Sequence, residues 1–357
     1  MNFRPSNYVP TLAVRPSEMK GLEHLHEIVK DLITPCFLLA PWVNSKTLIR
    51  SIDKIEIAFP DRKYFLDIDI NYESQRSNSA AQLEFENLKD PINGFKNWID
   101  LISSRENIVP CVQYKNAKFI DIKNQVDQFR IINRPFCIRL TKSISEEMRK
   151  LINFLSSEGS ADFVIILDAG WVNSPIEAES WFEGIISNYF DQLIANIPIV
   201  LSYTSIPDTF SDFNSKELSV REFSNRTVFE NLRRKTNRIG LIYGDWASTR
   251  PRNKKTIASR PIDRIDYPTI NSWVIARNKE DGWSFYEAAD LIVKSKSWDP
   301  NLKIWGTSMI ENTLINPALG IDTPQKNIAV RVNIHLHQQA VYRGELNLIP
   351  IEEEWRD

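Results

Sequence analysis

The chain has 357 residues, of which 42% are hydrophobic and 25% are charged, as in ordinary globular proteins. Its 44 Lys and Arg residues nearly balance its 46 Asp and Glu residues, so a globally basic surface for nucleic acid or membrane is excluded. The N-terminus has no apolar signal region, and no stretch approaches 18 uninterrupted apolar residues. We therefore expect a cytoplasmic protein with no membrane partner.

Eight short apolar runs alternate with helix-like stretches along most of the chain. The runs are Tyr8–Val14, Pro35–Ala40, Tyr64–Ile70, Ile108–Tyr114, Phe136–Thr141, Asp162–Asp168, Ile197–Thr204 and Ile239–Asp245. Helices are expected at Ser17–Leu32, Ser45–Ala58, Ala80–Ser104, Ile120–Ile132, Ser145–Ser157 and Ile176–Ala195. Strand–helix alternation over roughly 250 residues predicts an α/β protein, a (β/α)8 TIM-like barrel.

Long insertions follow runs seven and eight. A polar loop at 207–225 precedes a short helix at 227–235, and an irregular stretch at 246–282 holds a predicted strand, Ser272–Arg277. The helix Trp283–Lys296 would then close the barrel. These features predict a barrel over residues 1–297 and a C-terminal appendage, residues 298–357, packed on it. A split into two domains near residue 206 is the alternative.

Within the appendage, the stretch Val330–His337 alternates apolar and polar residues, which predicts a β-strand. His335 and His337 would share its polar face, where two histidines are weak candidates for metal ligands. A half-exposed surface strand gives the same pattern.

The three cysteines, Cys36, Cys111 and Cys137, all lie inside apolar runs, and no CxxC motif is present. This excludes a zinc site of the usual spacing and a reactive thiol, and it indicates a reducing compartment. GxSxG, P-loop and GxGxxG motifs are also absent, so no motif identifies a nucleophile or a nucleotide.

Acidic residues end several of the runs, and barrels place their chemistry at the C-terminal ends of strands. Asp69, Asp168 and Asp245 end runs three, six and eight, and we expect them to converge in one cavity. They would act as a general base or hold a divalent ion, Mg²⁺ or Mn²⁺. The alternative is a structural ion-pair network, with acids and arginines satisfying one another inside the barrel.

Basic residues cluster in the loop after run eight, with Arg250, Arg252 and Lys255 close together. Loops at this position often bind phosphate in barrel enzymes, so we expect a phosphate-bearing ligand, a nucleotide or nucleic acid, at the barrel mouth. The candidate ligand-binding residues are Arg15, Arg139, Arg250, Arg252, Lys255 and Arg277. A solvated basic loop is the alternative.

Several short segments resemble one known family. They are Tyr8-Val9-Pro10-Thr11-Leu12 with Glu18 and Leu22, Gly244-Asp245-Trp246, Ser272–Arg277, Ile304-Trp305-Gly306 and Arg331–His337. With these segments, spread over its whole length, the chain resembles the phage and bacterial "beta protein" family. The resemblance implies a role in phage–host conflict or antiviral defence, but it implies no established reaction.

Two functions are therefore expected as alternatives. The first is a phosphate-binding barrel, in its strongest form a metal-dependent phosphoester hydrolase. The second is a non-catalytic interaction or sensor subunit that recognises a phage protein or a partner effector from a defence or phage operon. Because barrels host both kinds of function, the fold does not choose between them.

Overall fold

The structure is a computed structural model that describes residues 3–73, 79–142, 144–190, 197–210, 213, 218–236, 240–252 and 262–342. The strands are β1 (Tyr8–Ala13), β2 (Cys36–Leu39), β3 (Tyr64–Ile68), β4 (Ile108–Pro110), β5 (Phe136–Leu140), β6 (Phe163–Trp171), β7 (Ile199–Thr204), β8 (Ser219–Glu222), β9 (Leu241–Asp245), β10 (Arg264–Pro268) and β11 (Ser272–Arg277).

The helices form the outer layers of the molecule. They are α1 (Pro16–Glu23), α2 (Glu27–Asp31), α3 (Ile49–Ala58), α4 (Ala80–Asn87), α5 (Ile92–Ser103), α6 (Phe119–Ile131), α7 (Glu146–Ser157), α8 (Pro175–Ile185), α9 (Asn225–Thr236), α10 (Phe285–Val293), α11 (Trp305–Ile315) and α12 (Pro324–Ala340). A π-helical turn, Ile186–Phe190, extends α8. Within the described ranges, no helix has the length and apolar character needed to cross a membrane.

Eight parallel strands form a nearly closed barrel in the order β4-β3-β2-β1-β9-β7-β6-β5. The two edges meet just beyond β4, where Cys111 pairs with Cys137 and the Val112 amide donates to the Cys137 carbonyl at 2.8 Å. Seven of these strands lie within their predicted apolar runs, and β6 extends three residues beyond its run, to Trp171. The predicted α/β barrel is therefore confirmed.

Alternation along the strands divides the apolar core into two layers. Residues such as Val9, Phe65 and Ile166 fill the interior of the barrel. Their neighbours on the same strands, such as Tyr8 and Ile165, pack between the strands and the surrounding helices. Side chains at adjacent positions of one strand therefore enter different environments. The same alternation determines whether an acid at a strand end faces the barrel interior or the surrounding helices.

The insertions build a second, smaller sheet beside the barrel. β10, β11 and β8 are antiparallel in that order, with β11 in the centre. α10 and α11 share an apolar cluster with this sheet, which includes Ile265, Val274 and Ile310. The helix expected to close the barrel at Trp283–Lys296 is α10, and this expectation was wrong because α10 packs on β10 and β11 instead.

The predicted strand Val330–His337 is also wrong, because these residues lie inside the helix α12. Val332 and Leu336 pack in the layer between barrel and helices, whereas Val330 and Ile334 pack against the small sheet. The helix is buried on opposite sides and has no broad polar face. A helix of this kind loses the 3.6-residue period by which helices are recognised in a sequence.

α12 occupies the eighth position around the barrel, between α1 and α9. It packs along α1 and against β1, and its Gln339 accepts a hydrogen bond from Arg226 of α9 at 3.0 Å. The helix that follows β9 around the barrel therefore comes from the segment assigned to the appendage. The division of the chain at residue 297 stays a prediction.

Close backbone approaches fix α12 between α1 and α11. The Asn333 side chain donates to the Gly21 carbonyl at 3.0 Å and accepts from the Gly306 amide at 2.9 Å. A Cβ on Gly21 would lie 2.5 Å from the Ala329 carbonyl oxygen, and one on Gly306 would lie 2.5 Å from Ile334 Cγ1. Glycine at both positions therefore allows the three helices to pack at this distance.

Candidate functional site

A buried ion network lies inside the barrel, at the C-terminal ends of β3, β5 and β6. The Arg139 guanidinium lies between two carboxylates, with Nη1 2.8 Å from Asp67 Oδ2 and Nη2 2.6 Å from Asp168 Oδ2. Burial lowers the pKa of Arg139, but the carboxylates of Asp168 and Asp67 outweigh this effect and hold its pKa well above the usual range. Arg139 is therefore charged and paired on both sides.

The remaining carboxylate oxygens of this network are also satisfied. Asp67 Oδ1 accepts from the Gln113 amide at 2.8 Å, and Asp168 Oδ1 accepts from the Trp246 indole at 2.9 Å. The sequence interpretation put Asp69, rather than Asp67, into the site. Asp67 and Asp69 share one strand face, but Asp67 lies within β3 whereas Asp69 follows its last residue. Their order along the strand would have identified Asp67 as the residue further inside the barrel.

The segment Trp246–Arg252, which we call the strap, crosses the mouth of the barrel. Trp246 fills the interior beneath it and is 1% exposed. Arg252 Nε donates to Asp69 Oδ2 at 2.7 Å, and the Arg15 guanidinium donates to the Arg250 carbonyl at 3.0 Å. The strap therefore reaches from β9 to the ends of β1 and β3 and covers the ion network.

Asp245 does not join the other two acids, so the expected convergence was wrong. Its neighbours Ile242 and Trp246 pack inside the barrel, and alternation turns Asp245 towards α12. There Asp245 accepts from the Tyr8 and Tyr243 hydroxyls at 2.7 and 2.9 Å and lies 2.8 Å from His335 Nε2. Burial raises the pKa of Asp245, but His335 and the hydrogen bonds outweigh burial, so the net shift is downward.

This geometry does not fit the Mg²⁺ or Mn²⁺ site expected at Asp69, Asp168 and Asp245. Asp69 is bound to Arg252, Asp168 to Arg139 and Asp245 to groups outside the barrel. Across the described part of the chain, no three or more His, Cys, Asp or Glu side chains are grouped as metal ligands.

The two histidines do not share a face either. His335 and His337 are two residues apart on a helix, a spacing that turns their side chains about 200° from each other. His335 contacts Asp245, while burial and then the nearby His26 lower the pKa of His337 to about 4. The expected pair of metal ligands on one strand face was therefore wrong, because the segment is helical.

The basic residues at the mouth are paired within the protein. Arg15 binds Glu18 at 3.1 Å and Arg250 binds Asp208 at 2.6 Å, in addition to the Arg252–Asp69 pair. Arg277 lies on the small sheet, where it donates to the Phe213 carbonyl at 3.1 Å, away from the network around Arg139. Lys255 lies outside the described residues.

A cavity of about 330 Å³, which we call the rim pocket, opens at the C-terminal ends of β6 and β7. Its lining residues are Asn173, Pro175, Ser205, Val220, Arg221, Glu222 and Ser224. The pocket lies at the first turns of α8 and α9, and the Ser174 side chain that precedes α8 makes no capping hydrogen bond. Arg221, which the sequence interpretation missed, is exposed and forms no ion pair with any described residue.

Comparison with known proteins agrees with the segments that suggested a family. "Protein beta" of Enterobacteria phage P4 is 29% identical over 350 residues, which span 94% of this chain and 94% of that protein. The Beta protein family matches residues 8–341, the barrel and the small sheet together. The chain therefore belongs to the Beta protein family.

Proposed function

We propose that this protein binds a phosphate-bearing ligand, a nucleotide or a nucleic-acid end, at the rim pocket. The observation that carries the proposal is that the first turns of two helices and the exposed Arg221 line one cavity. The first amides of a helix and its dipole favour an anion, and a guanidinium adds charge-assisted hydrogen bonds to phosphate oxygens.

The position of the pocket in the barrel supports the same ligand class. The pocket lies at the loops that follow β6 and β7, at the end of the barrel where such folds bind phosphate groups. Arg250 of the strap donates to the carbonyl of Pro207, two residues after Ser205 of the pocket. A ligand with more than one phosphate would therefore extend from Arg221 towards Arg250.

Glu222 also lines the pocket and opposes an anion. We therefore expect free inorganic phosphate to bind weakly, and affinity to rise with the number of phosphate groups. We do not propose hydrolysis, because Asp69, Asp168 and Asp245 are each bound to a different partner and do not form a common catalytic group. Membership of a family with a phage protein supports a role in phage–host conflict, with antiviral defence in the cytoplasm as its setting.

The test measures binding of fluorescently labelled ATP and of a labelled ten-nucleotide single strand, at several salt concentrations. The Arg221→Glu variant should weaken binding about tenfold or more and reduce the salt slope by about one released counterion. The matched control is Arg233→Glu, the same charge change on an exposed residue near the far end of α9. No binding to the wild type at low salt, or equal losses in both variants, would refute the proposal.

A further inference from the structure

A second open surface lies on the outer face of the barrel, away from the rim pocket. It is a groove of about 740 Å³, which we call the outer groove. Its floor is α1, one side is formed by α3, and the other side is formed by α11 and the first turns of α12.

The floor and sides of the outer groove are mainly apolar. Met19, Ala58 and Ala329 are buried at its base, and Met309 is half-buried on one side. Ile57 lies on the α3 side with 55% of its surface exposed. Methionine adapts its shape to different apolar partners and is frequent in grooves that receive helices.

Aromatic side chains stand on both sides of the groove. Trp305 of α11 stacks on His24 with ring centroids 4.4 Å apart and an angle of 8° between the planes. Burial, assisted by Lys20, lowers the pKa of His24, so this stacked pair presents an uncharged face at neutral pH. Trp42 lies on the α3 side, where the Lys54 ammonium is 5.5 Å from its ring.

The charges around the outer groove are predominantly positive. Lys20, Lys54 and Lys326 line it together with a single acid, Glu23. Lys20 pairs with Glu23 at 3.3 Å and Lys326 pairs with Asp322 at 2.9 Å, whereas Lys54 forms no ion pair with any described residue. Both pairs are exposed and therefore weak, so their lysines can turn to the carboxylates of a partner. The first turns of α1 and α12 also lie at the groove, and their dipoles add positive potential. An apolar cleft with a cationic border is complementary to a partner that carries apolar side chains flanked by carboxylates.

We propose that the outer groove binds an acidic amphipathic helix of a partner protein. The apolar face of that helix would pack on Met19, Met309 and Trp305, with its carboxylates near the lysines. The mainly apolar lining favours a peptide over single-stranded nucleic acid, whose phosphates need a continuous cationic track. The proposal goes beyond the phosphate site, because it uses different residues on another face.

The test uses two labelled synthetic peptides of 18 residues that share one leucine and tryptophan face. The remaining positions are mostly Glu in one peptide and mostly Lys in the other. Fluorescence anisotropy should show that the full-length protein binds the Glu peptide and not the Lys peptide. The double variant Lys54→Glu/Lys326→Glu should weaken binding of the Glu peptide at least about tenfold, since each reversal replaces attraction by repulsion.

The matched control is Lys96→Glu/Lys294→Glu, which changes the net charge equally at exposed lysines on α5 and just after α10. It should alter affinity less than about twofold, as should Arg221→Glu, so the outcome does not depend on the rim pocket. Equal binding of both peptides, or no loss in the groove double variant, would overturn the proposal. Binding of a ten-nucleotide single strand that is lost in the groove double variant would assign the groove to nucleic acid and also overturn it.

Discussion

The barrel mouth and the outer groove contrast in how their charged groups are used. At the mouth, Arg139 and Arg252 are bound to buried carboxylates, and the strap lies above them. At the groove, the ion pairs of Lys20 and Lys326 are exposed, Lys54 contacts an aromatic ring, and the apolar side chains face an open cleft. Polar residues at strand ends are therefore insufficient evidence of a site, because their partners decide whether they are available to a ligand.

The largest effect is expected inside the barrel. Arg139→Met would leave Asp67 and Asp168 buried without their counter-charge, and should lower the free energy of unfolding by about 3–5 kcal/mol. Urea unfolding at pH 7 measures this. Lys96→Met, which breaks an exposed ion pair with Asp100, is the control and should cost less than about 1 kcal/mol. An Arg139→Met protein as stable as the wild type would show that the mouth is open to water.

The next effect concerns the helices that hold the outer groove. Gly306→Ala would place a Cβ against Ile334 and the Val330 carbonyl, and should cost about 1–3 kcal/mol by overpacking. Gly184→Ala in α8 is the control, because its Cβ would meet no atom within 4 Å. Alanine in place of glycine inside a helix should raise the free energy of unfolding by about 0.5–1 kcal/mol. Comparing the two unfolding midpoints checks the close packing of α11 on α12. Equal shifts would contradict it.

The third prediction concerns α12, whose first turns line the outer groove. The pKa of His337 is lowered to about 4, against 6.5 in an unfolded chain. Between these values the unfolded chain takes up a proton that the folded protein does not, so stability falls as pH decreases from 6.5 to 4. Between pH 7 and pH 5 the loss from His337 should be about 1–2 kcal/mol.

His337→Gln should remove this part of the pH dependence, measured as urea midpoints at pH 7 and pH 5 for both proteins. Variant and wild type losing the same stability on acidification would mean that His337 titrates normally and is accessible to water.

The smallest effect is expected at the strap. The Arg250–Asp208 pair is well exposed on both sides, so Arg250→Gln should change the free energy of unfolding by less than about 1 kcal/mol. Hydrogen exchange of the backbone amides in Trp246–Arg252 should nevertheless become faster, because one attachment of the strap is lost. Unchanged exchange would show that Trp246, Arg252 and the Arg15 contact with the Arg250 carbonyl hold the strap without the Asp208 pair, and the mouth would be closed more firmly than we infer.

The strands of the barrel were predictable because barrel strands are buried on both faces. Runs such as Pro35–Ala40 are apolar throughout, and their spacing by helical stretches specifies parallel order. α12 was not predictable in the same way. It is buried between two layers, and Arg331 and His335 pair with Asp266 and Asp245, so its polar residues do not mark a solvent face.

For the candidate site, the sequence predicted which charged residues lie at the C-terminal ends of the strands, but not which residues they pair with. Asp168 and Arg139 were expected at the strand ends and lie there, paired with each other. Asp245 was assigned to the same cavity, although it is one residue out of phase with the inward-facing Trp246. The sequence did not predict the rim pocket or Arg221. The pocket is formed where two loops lead into α8 and α9, and such helix starts carry no sequence motif.

By itself the sequence determined the eight strands, the barrel and the family, since apolar periodicity and short matching segments are local properties of the chain. Only the tertiary structure decided which charges are paired. Asp67 lies 72 positions from Arg139, and Asp69 lies 183 positions from Arg252, yet both pairs are in contact. Pairing across such separations depends on how the strands and the strap pack, and packing brings together residues whose local patterns are independent of each other.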